Sequence, residues 1–207
     1  TTGASNVAIG RSSLNANTTA SNNTAVGHQS GYSNTTGTEL TAIGYFSGKS
    51  NTTGTSNTAV GFNSLTLNTT GASNNAFGSG ALYNNTEGTD NVAMGVNSLV
   101  TNTTGANNVG IGRDALNANQ TADDNTAVGY RALKLNTTGG ANVAIGNYAL
   151  DANTTASANT GVGYGALTDC TTGFDNTAIG ANAGIAVTTG DNNTLLGHDA
   201  GRSGSPG

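Results

Sequence analysis

The chain has 207 residues, a net charge of −5 and only 8 % charged residues, and its few Lys and Arg residues are scattered along the sequence. This distribution argues against nucleic acid as a partner, because nucleic-acid binding requires a basic patch. No apolar run is long enough for a membrane span, so we expect no membrane insertion, and the single Cys170 excludes an intrachain disulfide.

A glycine recurs every seventeen residues along the whole chain, without an insertion or deletion. These twelve anchor glycines are Gly10, Gly27, Gly44, Gly61, Gly78, Gly95, Gly112, Gly129, Gly146, Gly163, Gly180 and Gly197. A disordered chain would not keep such a register, and a fixed period is typical of solenoids. We interpret residues 1–207 as one array of twelve seventeen-residue units, and as a fragment of a longer fibre because the sequence opens inside a repeat.

Each unit contains two segments with strand character. The first has the form Asn-Thr-Ala-Val-Gly, as at residues 57–61, where a β-branched residue alternates with alanine. The second has the form Ala-Leu-x-x-Asn-Thr-Thr, and glycine and asparagine mark the corners between the two. Two strands in seventeen residues predict one coil of a parallel β-solenoid. Twelve coils stacked at about 4.8 Å would give a rod of about 60 Å.

Stacked coils place identical residues over one another, so recurring polar residues predict side-chain ladders. Asparagine occupies the fourth position before the anchor glycine in all units but one. The structural turn and ladder residues singled out by this pattern are Gly61, Gly78, Gly95, Gly129, Asn57, Asn74, Asn91 and Asn125. A second asparagine column, in the Asn-Thr-Thr segments, also matches the glycosylation sequon. We favour a ladder there, because glycans at the coil spacing would crowd one another.

Each coil offers two large apolar side chains to a core. They are the residue before the anchor glycine and the leucine four positions after it, with alanine or glycine on the opposite face of the first strand. Such a thin core buries little apolar area against the entropy lost on folding. We therefore expect several chains to share one core, approaching through their small residues, with three as the preferred number.

Short phrases of the sequence resemble a known family of repeats. The segments NVAIG at 6–10 and 142–146 and NTAIG at 176–180, each with a small residue three positions on, resemble the head repeats of trimeric autotransporter adhesins. The phrase NTAVGxxALxxNTTG is similar to repeat arrays of phage tail-fibre-like proteins. The resemblance covers the whole chain, although the unit is longer than the usual adhesin unit. It implies a left-handed parallel β-roll and a homotrimer.

Few residues are suited to catalysis or to metal binding. His28 and His198 lie ten coils apart, so they cannot meet within one rod, and we expect no enzyme activity. Acidic residues gather at the corner after Thr-Thr-Gly, but one or two carboxylates on some coils are too few for Ca²⁺. We therefore expect no metal and no cofactor.

Six aromatic residues follow an anchor glycine by one or two positions: Tyr45, Phe46, Phe62, Tyr130, Tyr148 and Tyr164. Their positions vary from unit to unit, which predicts side chains that face outward or line a groove between subunits. Exposed rings on a rigid rod would stack on a host-cell glycan or anchor a surface receptor. The alternative is that they pack across the coil corner or against a neighbouring chain.

These observations predict a structural or adhesive segment of an extracellular, cell-surface or virion-surface fibre, either a rigid shaft or an attachment head. Two alternatives stay open. The chain would be a filament subunit if its copies joined end to end, or an ice-binding solenoid if a threonine array faced water. We expect only one threonine column to be exposed, since adjacent residues of a strand point to opposite faces. That expectation weighs against ice binding.

Overall fold

The computed structural model describes residues 2–202 and is an all-β solenoid with one three-residue strand in every coil. All twelve strands form one parallel sheet in chain order. Each strand pairs with the next at a register of seventeen residues, so that Thr58 lies opposite Asn75 and Val60 opposite Phe77. The strands are β1 (Val7–Ile9), β2 (Thr24–Val26), β3 (Thr41–Ile43), β4 (Thr58–Val60), β5 (Asn75–Phe77), β6 (Val92–Met94), β7 (Val109–Ile111), β8 (Thr126–Val128), β9 (Val143–Ile145), β10 (Thr160–Val162), β11 (Thr177–Ile179) and β12 (Thr194–Leu196).

The parallel β-solenoid predicted from the period is confirmed, but the second strand predicted in each unit is wrong. The Ala-Leu-x-x-Asn-Thr-Thr segment consists of turns. Its leucine has a left-handed backbone, with φ of 50° at Leu82, which is incompatible with a strand. Hydrogen bonds still tie this segment to its surroundings: Leu82 N donates to Ser98 O of the next coil at 3.0 Å, and Asn85 N donates to Leu82 O at 3.2 Å.

The predicted facing of the strand is also wrong, because the alanine column is inside and the apolar column is outside. Ala59 and Ala76 are fully buried, whereas Ile43 is 40 % exposed and Met94 is 43 % exposed. The reason is the narrow interior of the coil. A Cβ placed on Gly110, in the buried column of β7, would lie 2.6 Å from Ser98 Oγ and 3.4 Å from Leu99 Cδ1. Leucines from the opposite wall therefore leave room for alanine but not for valine or isoleucine.

Two leucines fill the core where the leucine column contains glycine. Leu40 replaces an asparagine of the ladder column and is fully buried. Its Cδ atoms lie 3.2 and 3.4 Å from where a Cβ would stand on Gly31 and Gly48. Leu195 replaces a strand alanine in the same way and reaches the Cβ positions of Gly184 and Gly201. The core keeps its volume in these coils although its leucine comes from a different position.

Two buried asparagine ladders run along the stack. In the first, Asn74 Nδ2 donates to Asn57 Oδ1 at 3.3 Å and to Gly88 O at 2.8 Å. The same amide–amide bond recurs at Asn91, Asn108, Asn125 and Asn142. In the second ladder, formed by the Asn-Thr-Thr column, Asn68 Nδ2 donates to Asn51 Oδ1 at 2.7 Å. The buried amide groups thus satisfy one another from coil to coil.

The anchor glycines sit where two backbones come too close for any side chain. Gly61 has φ of 136°, and a Cβ added to it would lie 2.7 Å from Gly78 O of the next coil. Glycine alone adopts this conformation without strain. The period of seventeen therefore follows from a point in each coil at which successive turns touch through their backbones.

Candidate binding surfaces

The strands present a continuous outward face, which consists of the first and third residues of each strand on either side of the buried middle residue. Apolar residues fill the third position in all twelve strands. Eight of them are classed as exposed, and Ile9 is 60 % exposed. Threonine fills the first position in seven strands. This face was not predicted from the sequence, because the alternating pattern separates two faces of a strand without showing which of them points into the coil.

The six aromatic residues singled out from the sequence lie at the corner that follows the anchor glycines, and the structure brings them together in two groups. The first group contains Tyr45, Phe46 and Phe62, joined by His28. Tyr45 stacks between His28 and Phe62 at ring-centroid distances of 5.1 and 5.4 Å, with interplanar angles of 14° and 10°. Phe46 packs against Tyr45 at 4.0 Å, and Lys49 Nζ lies 4.1 Å from the Phe46 ring centroid.

The second group contains the three tyrosines Tyr130, Tyr148 and Tyr164 in edge-to-face contact. Tyr148 lies 5.3 Å from Tyr130 at 86° and 5.9 Å from Tyr164 at 75°. The Arg131 guanidinium lies 5.3 Å from the Tyr148 ring centroid and donates from Nη2 to Asp151 Oδ2 at 3.1 Å. The residues one position after the glycine are exposed, except for the half-buried His28, and those two positions after it are half-buried.

Asp151 is the ionisable residue of the second group with an altered pKa. Burial raises the pKa of its carboxyl group, an effect that outweighs the nearby positive charges of Arg131 and Lys134. Its Oδ1 atom is buried without a hydrogen-bond partner. Neither Arg131 nor Asp151 was predicted from the sequence as a site residue, and His28 was considered there only for catalysis. Their positions after an anchor glycine, in the aromatic column or close to it, were the available signal.

Three of the acidic residues at the second corner act as hydrogen-bond acceptors between coils. Asp123 Oδ1 accepts from Ala106 N at 2.7 Å, and Asp191 Oδ1 accepts from Phe174 N at 2.9 Å. Glu39 accepts from the Ser56 hydroxyl at 2.8 Å. Within residues 2–202 no group of three or more His, Cys, Asp or Glu residues lies close enough together to hold a metal ion.

The sequon asparagines are largely buried, and their side-chain nitrogens are engaged. Asn51, Asn68 and Asn102 are fully buried. Asn102 Nδ2 donates both to Asn85 Oδ1 at 2.8 Å and to Gly105 O at 2.9 Å. A glycan on this nitrogen would break both bonds and would need space inside the stack.

Comparison of the chain with protein-family models, with curated proteins and with solved structures gave no match. In the described part of the chain, no helix is long and apolar enough to cross a membrane.

Proposed function

We propose that the chain is a rigid segment of an extracellular or particle-surface attachment fibre, in which three copies associate through their outward faces. The single observation that carries this proposal is the row of apolar side chains along that face. A monomeric protein seldom exposes a contiguous apolar patch of more than a few hundred Å². A row that extends over twelve strands calls for a partner that covers it along the whole rod.

A second copy of the same chain is the partner that fits this row best. The row repeats at the coil spacing of about 4.8 Å, and another copy repeats at the same spacing. Each residue on one chain would then meet an equivalent residue on the next, which is how symmetric oligomers bury a repeated surface. The number three comes from the resemblance to adhesin head repeats. In this arrangement the shared core forms from the outward apolar column, and the alanines stay inside each chain.

The rigid rod would then display the aromatic groups of the glycine corner to a cell surface. Exposed Tyr45, Phe62 and Tyr164 offer apolar ring surface with little side-chain entropy to lose on binding. The partners of such rings would be a host-cell glycan or a surface receptor. In this function the chain works outside the cell and by contact.

Light scattering combined with negative-stain images of the purified chain tests this proposal. One chain has a mass of 20.2 kDa, so we expect a discrete particle of about 61 kDa, three times that mass. Replacing Ile111 and Ile145 by lysine should dissociate it, because both side chains lie on the outward face. The matched control places lysines at Thr104 and Thr138, which are exposed away from the strands. A stable wild-type monomer would contradict the trimer, and long filaments would favour the filament subunit instead.

Ice binding is kept as a second candidate because the outward face has two ranks of side chains. The expectation of a single exposed threonine column considered only the Asn-Thr-Thr segments, where the strand assignment was wrong. In the strands, a rank dominated by threonine and an apolar rank lie side by side on one sheet face. Thermal hysteresis of a monomeric wild-type sample, lost on replacing Thr126 and Thr160 by lysine, would support this function. Its absence in a monomeric sample would exclude the function.

A further inference from the structure

The ring stack of the first aromatic group stops at Phe62, and the next coil does not continue it. Tyr45 covers one face of Phe62 in near-parallel stacking. One coil further, the same position is held by Ser79, followed by Gly80. Gly80 N donates to Phe62 O at 3.0 Å, so these two corners are direct neighbours. The second face of the Phe62 ring is therefore left open, and Phe62 is 55 % exposed.

The gap beside Phe62 has the width of one flat ring. Val96, which is 44 % exposed, holds the equivalent position two coils from Phe62, at about twice the 4.8 Å spacing. A ring above Ser79 would lie about 4.8 Å from Phe62, within the usual range for stacked rings. Asn97 borders the gap, since its Oδ1 lies 2.7 Å from where a Cβ would stand on Gly80. We call this gap the Ser79 notch, formed by Phe62, Ser79, Gly80, Val96 and Asn97.

The surroundings of the Ser79 notch are uncharged. The corner positions one, two and five residues after the anchor glycine are neutral in all three coils that border it. They are Phe62, Asn63, Thr66, Ser79, Gly80, Tyr83, Val96, Asn97 and Val100. The coils on either side differ, with Lys49 before the notch and the ion pair Arg113–Asp114 after it. An uncharged site with one aromatic face and polar neighbours suits a neutral ligand.

We propose that the Ser79 notch binds one neutral pyranose ring of a glycan. The apolar face of the sugar would lie on Phe62, and its hydroxyls would bond to the Ser79 hydroxyl and the Asn97 amide. A protein partner is a poorer match, because a specific protein interface covers about 1,000 Å² or more and the notch is one coil wide. This inference rests on the proposed attachment function and gives it a ligand class.

Saturation-transfer NMR with methyl β-D-galactopyranoside and methyl β-D-glucopyranoside, on the full chain, tests the proposal. We expect transfer from the aromatic protons to the ring protons on the apolar face of the sugar. Phe62→Ala removes the stacking surface, and Ser79→Tyr fills the notch with a ring of the protein's own. Each should weaken binding about tenfold, the effect of losing one stacking contact. Tyrosine occupies the same corner column at Tyr45 and Tyr130, so S79Y should fold.

The control variant is Phe174→Ala, which removes an exposed ring at the second corner, outside both aromatic groups, and should leave the transfer unchanged. Undiminished transfer in S79Y, or transfer to neither sugar in the wild type, would overturn the proposal. Light scattering on the same samples separates this result from the fibre hypothesis. A three-chain particle without sugar transfer would support the fibre hypothesis and contradict sugar binding at the Ser79 notch. A monomer that shows transfer would contradict association through the outward face and support sugar binding at the Ser79 notch.

Discussion

The leucines of the core combine a strained backbone with a buried side chain. Leu65, Leu82 and Leu99 have φ of 48° to 51° and are fully buried. A left-handed backbone costs a residue other than glycine roughly 1–2 kcal/mol, while burying a leucine side chain contributes about 1.5–3 kcal/mol. The net gain per leucine is small. This balance explains why glycine replaces leucine in some coils when another leucine is available to fill the space.

Cys170 interrupts the second asparagine ladder, and restoring the ladder should stabilise the fold. Asn153 Oδ1 is buried without a partner because the next residue of the column is Cys170. The asparagine introduced by Cys170→Asn would donate from its Nδ2 to Asn153 Oδ1. Its own Oδ1 would face the half-buried Val187. We expect a gain of about 1 kcal/mol in the free energy of unfolding, measured by thermal and denaturant unfolding. The control Cys170→Ala offers no donor and should bring no gain. Equal stability of the two variants would contradict the ladder argument.

The anchor glycines should tolerate no side chain in the middle of the stack. Gly61→Ala combines a disfavoured φ of 136° with a contact of 2.7 Å to Gly78 O. We expect a loss of at least about 2 kcal/mol in stability, seen as a lower unfolding midpoint. Gly165→Asn is the matched comparison, since φ there is 62° and asparagine holds the same position at Asn63 and Asn182. This second variant should unfold within a few degrees of the wild type.

At the level of the coil, core volume is conserved while the residue that supplies it changes. Leu40→Asn should restore the asparagine column but empty the space beside Gly31 and Gly48. The expected loss is about 3 kcal/mol, as for other leucines removed from cores. Adding Gly31→Leu and Gly48→Leu restores the common pattern of the other coils and should recover most of that stability. Unfolding curves of the single, double and triple variants measure the coupling between Leu40→Asn and the two glycine substitutions. Additive losses of stability would contradict the idea that Leu40 supplies the volume missing at Gly31 and Gly48.

Sequence patterns predicted the features of each coil that depend on which residues stack from coil to coil. They did not predict which side chains point into the coil and which point outward. Gly61 and Asn74 recur at a fixed spacing because each meets its own equivalent in the next coil. The inside and the outside of β4 could not be separated in this way, since Ala59 and Val60 recur equally well. Deciding between them needs the distance to Leu65 on the opposite wall. The turn in this wall depends on the left-handed backbone of the leucine, and no sequence pattern indicates that conformation.

The aromatic groups show the same limit at the surface. The sequence placed Tyr45 and Phe62 in one column, and their stacking follows from the coil spacing. Arg131 and Tyr148 also share a column, but the contact of Arg131 with Asp151 joins different columns of two coils. Such cross-column contacts depend on how the corner bends, which a repeat pattern does not encode.

For the whole molecule, the coils act as interchangeable layers. Each strand contacts only the strands before and after it in the chain. Deleting residues 91–107 removes one complete period and joins Asp90 to Asn108, so Asn108 takes the place of Asn91. We expect a folded rod shorter by about 4.8 Å. Circular dichroism and small-angle scattering would measure fold and length.

A deletion that breaks the period supplies the control for this experiment. Removing residues 91–98 takes away about half a coil, so the remaining half cannot close the turn. This variant should lose β-structure or melt far below the wild type. If both deletions fold equally well, the layers are not the units of the fold.

The asparagine ladders give the rod a direction. Every ladder bond has the same sense, with Nδ2 donating toward the preceding coil, as in Asn68 to Asn51 and Asn74 to Asn57. The threonine hydroxyls, such as that of Thr52, and backbone N–H groups, such as that of Leu65, donate toward the following coil instead. A ladder therefore ends differently at the two ends of the rod, with an amide N–H group at the first coil and an amide oxygen at the last.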